Sequence, residues 1–468
     1  MRVRRRPSFG LAMIPIVFLI VSLSCGVLIY GADPHIPLLA TTVVAAILGK
    51  CLGYTWEYME RGIIDTILPA MQAILIQMII GVIIGTWILG GIVPTMIYYG
   101  LQILSPGIFL PATALICAVV SLATGSAWTT AGTVGIALLG VGQGLNIDMP
   151  LVAGAIISGA YFGDKMSPLS DSTNLAPAVT GVKLFDHISH MIKTTSVSFV
   201  IALILYSVIG MRYAGRTLNV EGIEALLTAL QGQFTITPML LLPPLLVILM
   251  VSLKMPAIPG LLGGSILGAV FAVIYQGAGI GEIIEAAHYG YLSETGFGAV
   301  DKLLTRGGLD SMMFTVSLIL VAMSFGGIVE RICVLEVIGE RLLRFAKSTG
   351  SLVATTAATC IFCNFTMSDQ YLAIVVPGRM FKEKYEEEGL HLKNLSRVLE
   401  DTGTLTSSLV PWSTCGAFMY ATLAVHPFAY LPFAFLNLIN PIVSVIYGYL
   451  GITMERTDGK KAKDAKLV

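Results

Sequence analysis

The sequence predicts an all-α protein that crosses a lipid bilayer many times. Hydrophobic residues make up 55% of its 468 residues and charged residues only 12%, against about 25% charged residues in a typical soluble domain. Asp148 is the single charged side chain in residues 66–163, and residues 402–454 contain none if His426 is neutral. A soluble core cannot bury uncharged runs of that length, whereas helices of about 20 apolar residues span a bilayer. We therefore predict about eleven hydrophobic segments joined mostly by short loops.

The first of these segments lies close to the N-terminus. It follows a basic stretch that ends at Arg6 and runs over residues 9–31. This apolar run is too long for the apolar part of a signal peptide, and no small-residue cleavage site follows it. We therefore interpret it as the first spanning helix. Its basic flank and the basic tail at residues 455–468 predict that both ends of the chain are cytoplasmic, because Lys and Arg favour that side of a membrane.

The remaining elements follow from the alternation of apolar runs with polar stretches. Aromatic and charged residues at 54–66 predict an interfacial segment, and residues 330–348 have the pattern of an amphipathic helix lying on the surface. The charged residues of 277–310 place that stretch outside the bilayer, and residues 215–237 form a soluble connecting loop. We expect apolar segments at residues 9–31, 35–53, 67–90, 107–143, 150–163, 194–214, 238–253, 255–276, 311–329, 350–378 and 427–450.

Four polar stretches interrupt this pattern where the chain should lie at membrane depth. Each is rich in Gly, Ser, Thr or Asn, and three of them contain Asp. Irregular backbone is tolerated at that depth only where protein buries it or where it lines a water-filled cavity. The stretches therefore predict broken helices or re-entrant hairpins, and they lie near residues 124–132, 163–177, 364–370 and 401–415.

The four stretches also suggest an internal repeat. In each half of the chain a hydroxyl-rich break is followed by an Asp-led stretch, and one constant offset matches Asp164 with Asp401 and Thr129 with Thr366. Two broken segments at corresponding positions are what an inverted-repeat transporter predicts. We therefore predict a first membrane repeat over residues 1–214 and a second over residues 238–454.

The side chains at the breaks have the chemistry of a cation site. Hard cations such as Na⁺ take oxygen ligands, which carboxylates, hydroxyls, amides and unwound backbone supply. A carboxylate in a low-dielectric site can hold a proton or Na⁺ but not both, so competition for one charge is sufficient for exchange. Asp164 and Asp171 are the first candidates for binding Na⁺, although either could instead cap the following helix. The other candidate ligands are Ser126, Thr129, Ser170, Ser172, Thr173, Asn174, Asn364, Thr366, Asp369, Asp401, Thr404 and Ser407.

Several side chains in or near the breaks have an interpretation other than ion binding. Lys165 is expected to extend towards the membrane surface, and neutralisation of a neighbouring charge is the alternative. Because Asp401 follows Glu400 beside a charged loop, a solvated helix end is an alternative to a ligand role. His187 and His190 lack a cluster of further ligands and predict the polar face of a helix. No cofactor is expected, and the formal net charge of zero gives no indication of nucleic-acid binding.

At these residues the chain resembles the NhaC family of Na⁺/H⁺ antiporters, within the wider ion-transporter superfamily. The similar parts are residues 81–101, 124–135, 163–177 and 399–416, and the most specific begins Gly-Asp-Lys-Met-Ser-Pro-Leu-Ser-Asp. The resemblance implies Na⁺ efflux in exchange for H⁺ across a bacterial cytoplasmic membrane. It also implies a scaffold domain, a transport domain with paired hairpins, and a homodimer in the bilayer.

Three functions are compatible with the sequence. The leading one is the Na⁺/H⁺ antiporter. The same family includes exchangers of malate and H⁺ for lactate and Na⁺, and no residue separates these from the first kind. An ion channel is a more distant alternative. The sequence lacks a G-x-x-x-x-G-K-[ST] motif and the common hydrolase motifs, so we expect a secondary transporter rather than an ATP-driven pump or an enzyme.

Overall fold

The computed structural model describes residues 5–214, 220–253, 255–296 and 298–457, and these are almost entirely helical. The described residues contain no β-strand, only two isolated β-bridges. The all-α prediction is therefore confirmed. Most of the predicted basic tail, residues 458–468, lies outside the described residues.

The first half of the chain forms eleven α-helices among the described residues. A π-helical segment continues the first helix at residues 24–29, and another lies at residues 131–135. The helices are α1 (Phe9–Leu23), α2 (His35–Cys51), α3 (Trp56–Leu89), α4 (Ile92–Ile103), α5 (Pro106–Thr124), α6 (Ala127–Thr130), α7 (Ile136–Gly144), α8 (Met149–Met166), α9 (Asp171–Thr180), α10 (Leu184–Ala214) and α11 (Val220–Gln233).

The second half adds thirteen described α-helices. They are accompanied by two π-helical segments, at residues 272–276 and 399–404, and by short 3₁₀ turns at residues 238–241, 310–312 and 431–433. The helices are α12 (Leu242–Ser252), α13 (Ala257–Phe271), α14 (Ile280–Tyr289), α15 (Gly298–Leu304), α16 (Met313–Arg331), α17 (Val334–Leu343), α18 (Thr349–Met367), α19 (Leu372–Glu387), α20 (Lys393–Val398), α21 (Leu405–Ser407), α22 (Thr414–Leu423), α23 (Pro427–Tyr430) and α24 (Phe435–Leu450).

The apolar helices confirm a polytopic membrane protein. Seven described helices are long and apolar enough to cross a membrane, or nine if each of two bent pairs is one span. α2 and α4 are shorter apolar helices, so the number of hydrophobic segments agrees with the prediction. The bent pairs lie at residues 224–252 and 427–450, where the axis changes by 93° and 59°.

One predicted boundary is wrong. The interfacial segment at 54–66 and the span at 67–90 form a single helix of 34 residues, α3. Thr55 starts it, since its hydroxyl accepts a hydrogen bond from the Tyr58 amide at 3.3 Å. The charged residues lie on the first turns of this long helix, where Asp65 approaches Arg331 at 3.7 Å. A single helix of that length is longer than the apolar layer is thick, so its first turns can lie outside the layer without a break in the helix.

The structure contains an internal repeat in which the same elements recur at one constant offset along the chain. α5 and α18 each have 19 residues, and α9 and α22 each have 10. Residues with a left-handed backbone occur in pairs, one in each copy, that are separated by this same number of residues. Residues that directly precede a helix form pairs with the same separation. The left-handed pairs are Gly125 and Ser368, Asn146 and Gly389, and Gly181 and Ala424; the preceding pairs are Ser105 and Ser348, Ser126 and Asp369, and Ser170 and Ser413.

This register replaces the one that side-chain types alone had suggested. Asp164 corresponds to Ser407 rather than to Asp401, and Asp369 corresponds to Ser126. Helix ends and left-handed turns are set by backbone geometry, whereas shared Asp and Thr residues can match by chance. The carboxylates of the two copies therefore occupy non-equivalent positions. The outer limits of the repeats and their inverted orientation stay predictions.

Small residues let the helices of the first copy approach closely. Gly159 of α8 lies against the backbone of α5, where an added Cβ would collide with the Ala114 carbonyl group and lie 2.8 Å from the Cys117 Cβ. Gly163, one turn further along, meets α5 in the same way. Such close approach is a common basis of helix association in membranes, where apolar surface gains little by leaving lipid. It holds the end of α8, and therefore Asp164, in place.

We expect Gly159→Ala to destabilise the protein by about 1–3 kcal/mol, because the extra methyl group overpacks the α5–α8 contact. A lowered thermal unfolding midpoint of the purified protein in detergent would show this. Gly10→Ala is the matched control, since nothing lies within 4 Å of a Cβ added there. Equal midpoints for the two variants would contradict the proposed close contact.

Candidate functional site

The predicted breaks are real interruptions that pack against one another. α5 ends at Thr124, and Gly125 takes a left-handed conformation with φ of 67°. A Cβ at Gly125 would lie 2.6 Å from the Leu169 Cβ and 2.9 Å from the Ser170 nitrogen. The first break therefore contacts the turn between α8 and α9, and a glycine is required there both by backbone conformation and by space.

The second copy builds the same arrangement with different side chains. α18 ends before Ser368, which has a φ of 59°. The Thr414 amide, at the start of α22, donates a hydrogen bond to the Ser368 carbonyl group at 2.8 Å. Trp128 of the first copy stacks on Phe418 of the second with ring centroids 4.2 Å apart. The four breaks thus meet in one buried region.

Three predicted ligands use their side chains to start helices at these breaks. The Ser126 hydroxyl accepts a hydrogen bond from the Thr129 amide at 3.1 Å. Ser170 caps α9 through the Thr173 amide at 3.4 Å, and Asp369 accepts from the Leu372 amide at 3.0 Å. Amides at a helix start need such acceptors, and water is scarce at membrane depth. Each oxygen retains further lone pairs for a ligand.

Three other predicted ligands are committed to the backbone. The Thr173 hydroxyl donates to the Lys165 carbonyl at 3.0 Å, and the Asn174 amide donates to the Ser170 carbonyl at 2.7 Å. The Thr366 hydroxyl donates to the Phe362 carbonyl of its own helix at 2.8 Å. These contacts close the ends of the broken helices. Their geometry assigns Thr173, Asn174 and Thr366 mainly to backbone support.

The two Asp residues that the sequence ranked first occupy different environments. Asp164 lies in the last turn of α8, is only 8% exposed, and has the Ser170 hydroxyl beside it. Asp171 lies in the first turn of α9, next to the capping Ser170, and its side chain is exposed. The structure therefore brings Asp164 into the buried region and leaves Asp171 at its edge. A carboxylate in a first helical turn is favourable for the helix whatever else it does.

Glu400 is a buried carboxylate that the sequence reasoning missed. It is fully buried, and neither carboxylate oxygen accepts a hydrogen bond from the described residues. The hydroxyl groups of Ser172 and Thr404 lie beside it, and its charge acts on Asp164. In the sequence Glu400 lies at the end of a charged loop, and only its neighbour Asp401 was considered as a ligand. The feature that could have identified Glu400 is its position directly before the hydroxyl-rich stretch of residues 401–415.

Lys165 and Asp401 form a buried ion pair, which corrects two expectations. Both side chains are fully buried, and the Lys165 ammonium donates to Asp401 Oδ1. Asn440 donates to the same oxygen at 2.8 Å and Thr194 at 3.2 Å, while the Arg397 Nε lies 3.9 Å from Oδ2. Lys165 does not extend to the surface, and Asp401 is not a solvated helix end. Each charge is stable in the interior because the other compensates it.

Other oxygens in the region have no hydrogen-bond donor among the described residues. A buried polar atom without a partner costs free energy, and a bound cation would remove that cost. Thr404 lies beside Glu400, and Asn364 donates to the Gly403 carbonyl at 2.7 Å while its own Oδ1 is unpaired. Ser407 is less available, because it donates to the Thr404 carbonyl at 2.6 Å. The unpaired oxygens are Thr129 Oγ1, Asn364 Oδ1, Ser368 Oγ, Thr402 Oγ1, Thr404 Oγ1, Asp401 Oδ2 and both carboxylate oxygens of Glu400.

This donor set favours a hard monovalent cation over a transition metal. Among the described residues, no three His, Cys, Asp or Glu side chains are grouped to bind a metal ion. Hydroxyl, amide and carboxylate oxygens predominate instead, and these are the ligands of hard cations. Broken membrane helices that meet around buried carboxylates are typical of secondary transporters.

The chain belongs to the Na⁺/H⁺ antiporter family, whose pattern matches residues 159–452. It is 42% identical to the Na⁺/H⁺ antiporter NhaC of Alkalihalophilus pseudofirmus, over 95% of this chain and 96% of that one. It is 38% identical to the malate-2H⁺/Na⁺-lactate antiporter of Bacillus subtilis, over 99% of each chain. It is also 38% identical to the arginine/ornithine antiporter ArcD of Halobacterium salinarum, over 98% of this chain and 96% of that one. The resemblance stated from the sequence is confirmed, and the carried substrate differs among these relatives.

We expect Asp401→Asn to destabilise the protein by about 3–5 kcal/mol, because it leaves the Lys165 charge buried without a counter-ion. The thermal unfolding midpoint in detergent measures the effect. The double variant Lys165→Met with Asp401→Leu removes both charges and should recover much of the loss. An Asp401→Asn midpoint equal to that of the wild type would show that the pair contributes nothing to stability.

Proposed function

We propose that the protein exchanges Na⁺ for H⁺ across a bacterial cytoplasmic membrane, and that Asp164 and Glu400 bind the two ions in turn. The observation that supports this is the pair of buried carboxylates without a positively charged partner of their own. The charge of Lys165 also acts on Glu400, but its ammonium group donates to Asp401. A buried carboxylate must be neutralised by a proton or by a cation. Competition between these two ligands couples their opposite movements.

The surrounding oxygens suit the Na⁺-bound state. Ser170 lies beside Asp164, and Ser172 and Thr404 lie beside Glu400. These neutral groups can replace part of the hydration shell of Na⁺ without adding charge. In the proton-bound state each carboxyl group can instead donate a hydrogen bond to one of the same hydroxyl groups. Asp171 and Asp369, by this proposal, support the helix starts rather than carry the ion.

A second candidate is the exchange of malate and H⁺ for lactate and Na⁺. Its support is the relative of Bacillus subtilis, which carries those substrates in its name and aligns over nearly all of both chains. An organic carboxylate bound at membrane depth would call for a free cation. Around the site the cations of the described residues, Lys165 and Arg397, both approach Asp401. This arrangement favours the simpler exchange of two cations.

The orientation and assembly follow from the same proposal. The basic residues near Arg6 are proposed to face the cytoplasm, in keeping with the excess of Lys and Arg on that side of membrane proteins. Arg6 pairs with Glu336 at 2.7 Å and with Glu340 at 3.1 Å, so α17 lies at the same face. A homodimer surrounded by lipid stays a prediction.

Everted membrane vesicles distinguish the two candidate functions. Adding Na⁺ to vesicles with a preset pH gradient should dissipate the gradient with no organic anion present, because Na⁺ and H⁺ are the only cargo. A fluorescent pH probe measures the change, and vesicles without the protein are the control. A strict requirement for malate or lactate would instead establish the carboxylate exchanger, and steady current without stoichiometric proton movement would indicate a channel.

Asp164→Asn and Glu400→Gln should each lower Na⁺-dependent proton exchange by at least about 100-fold, because neither amide can take up the proton or neutralise Na⁺. Asp171→Asn is the matched control at the exposed position and should retain most activity. In the wild type the apparent KM for Na⁺ should rise as the pH falls, because protons compete with Na⁺ for the same two carboxylates. Full activity of the Asp164→Asn protein, at normal expression, would contradict the proposal.

A further inference from the structure

The connection between α13 and α16 forms a cavity that the proposed exchange does not use. It contains the short helices α14 and α15 and packs against the end of α3. The cavity is partly enclosed and has a volume of about 570 Å³, which is within the range of small-molecule sites. Its lining includes Glu282, Glu285, Tyr291, Thr305 and Arg306.

The cavity lies at the face of the molecule opposite the N-terminal basic residues. α16 begins just after it, where the Gly308 amide donates to the Gly81 carbonyl group, near the end of α3, at 2.7 Å. α16 ends at Arg331, beside Asp65 in the first half of α3, and leads directly into α17, which pairs with Arg6. The two long helices therefore separate the cavity from Arg6. By the proposed orientation the cavity opens to the outside.

The backbone of Arg306 is held firmly in place. Its amide donates to the Tyr291 carbonyl group, and the Tyr291 amide donates to the Arg306 carbonyl group, both at 3.1 Å. Gly307 and Gly308 follow with φ of 89° and 82°, and a Cβ at Gly307 would lie 2.5 Å from the Gly85 nitrogen. Both the backbone conformation and the space there require glycine. Backbone contacts alone fix this turn, so the side chain of Arg306 is not needed to hold it.

The side chain of Arg306 is a cation without a partner. It is partly buried, and it forms no ion pair or hydrogen bond with the described residues. Burial lowers its pKa to about 10, so the guanidinium group keeps its charge at neutral pH. The carboxylate of Asp301 is occupied, since it accepts hydrogen bonds from the Ser293 hydroxyl at 2.9 Å and from the Thr295 amide at 2.7 Å. A partly buried guanidinium group with five N–H donors calls for an acceptor.

Two hydroxyl groups of the cavity also have a hydrogen available. The Tyr291 hydroxyl accepts a hydrogen bond from the side-chain nitrogen of Gln233 at 3.2 Å. The Thr305 hydroxyl accepts from the Ser293 amide at 3.0 Å. Neither hydroxyl donates to a described residue. Donors without acceptors therefore line the same cavity as the Arg306 guanidinium group, and this arrangement suits an oxyanion.

We propose that this cavity binds a small organic carboxylate from the external medium. The planar guanidinium group of Arg306 matches the two oxygens of a carboxylate in a bidentate pair. The hydroxyl groups of Tyr291 and Thr305 supply further donors to the same ligand. None of these residues belongs to the four breaks. The inference therefore goes beyond the proposed exchange, and it does not require that Na⁺ or H⁺ is the cargo.

Two carboxylates of the cavity limit the charge of the ligand. Glu282 and Glu285 are both exposed, and neither pairs with Arg306. Glu282 Oε2 accepts a hydrogen bond from the Gly279 amide at 2.7 Å, at the start of α14. Water and salt screen exposed carboxylates, but these two still repel a second negative charge on a bound ligand. The site should therefore prefer propionate to succinate, which is propionate with a second carboxylate.

Titration calorimetry of the purified protein tests the site directly. Potassium propionate is added in detergent without Na⁺, and potassium chloride is the control for anions in general. The wild type should bind one propionate per chain, and succinate more weakly. Arg306→Gln should weaken propionate binding at least about tenfold, because it removes a bidentate charged hydrogen bond. Arg212→Gln, at an exposed arginine in the last turn of α10, is the matched control and should bind propionate as the wild type does.

Further variants and measurements separate a binding role from a structural one. Tyr291→Phe keeps the ring and the backbone bridge but removes one donor, so it should weaken propionate binding by about two- to tenfold. The thermal unfolding midpoint of Arg306→Gln in detergent should match that of the wild type, because only backbone atoms of this residue hold the turn. Its Na⁺-driven proton movement in vesicles without an organic anion should also be unchanged, because the cavity lies outside the ion site.

Other results overturn the inference in distinguishable ways. Absence of binding by the wild type, or equal binding by Arg306→Gln, would show that no carboxylate binds at this residue. Equal binding of chloride would show a non-selective anion contact, and tighter binding of glycerophosphoethanolamine would assign the cavity to a phospholipid headgroup. If Arg306→Gln does not fold, an unchanged propionate affinity of Tyr291→Phe would contradict the site. A wild-type protein that binds propionate but does not exchange Na⁺ for H⁺ would contradict only the proposed function and would support this inference.

Discussion

The structure depends on satisfying helix ends that lie at membrane depth, where water cannot do so. Each break leaves amide groups without intrahelical acceptors. Ser126, Ser170 and Ser413 supply acceptors by side-chain caps at three breaks, and Asp369 does so at the break of residues 364–370. The polar residues required for this purpose are the same ones that can surround a cation. The site therefore arises where the fold must in any case place oxygen atoms.

Charge compensation divides the buried ionisable groups into two sets. Lys165 and Asp401 neutralise each other across the two copies of the repeat, and Asn440 and Thr194 complete the shell of Asp401. Asp164 and Glu400 lie nearby without a cation of their own. The first set compensates its own charges, whereas by the proposed function the second set is neutralised by a proton or by Na⁺. Under that proposal, one region holds both a fixed ion pair and the groups that exchange ions.

The candidate site was only partly predictable from residue types. Asp164, Ser170, Ser172 and Thr404 are placed together as expected. Asp171 has the same chemistry as Asp164 but occupies an exposed first turn, because a shift of a few residues around a helix start changes which side a residue faces. Glu400 was missed since a carboxylate at the end of a charged loop looks solvated in sequence. The unpaired oxygens of Glu400 became visible only when neighbouring helices enclosed it.

The sequence by itself determined the all-α membrane class, the hydrophobic segments and the positions of the four breaks. These features follow from local properties: apolar length, charge density, and the Gly, Pro and hydroxyl residues that interrupt helices. Tertiary structure alone decided the register of the repeat, the pairing of Lys165 with Asp401, and the inward direction of His187 and His190. Each of these depends on which distant helices meet, and a pairing between opposite halves of the chain leaves no mark in local sequence.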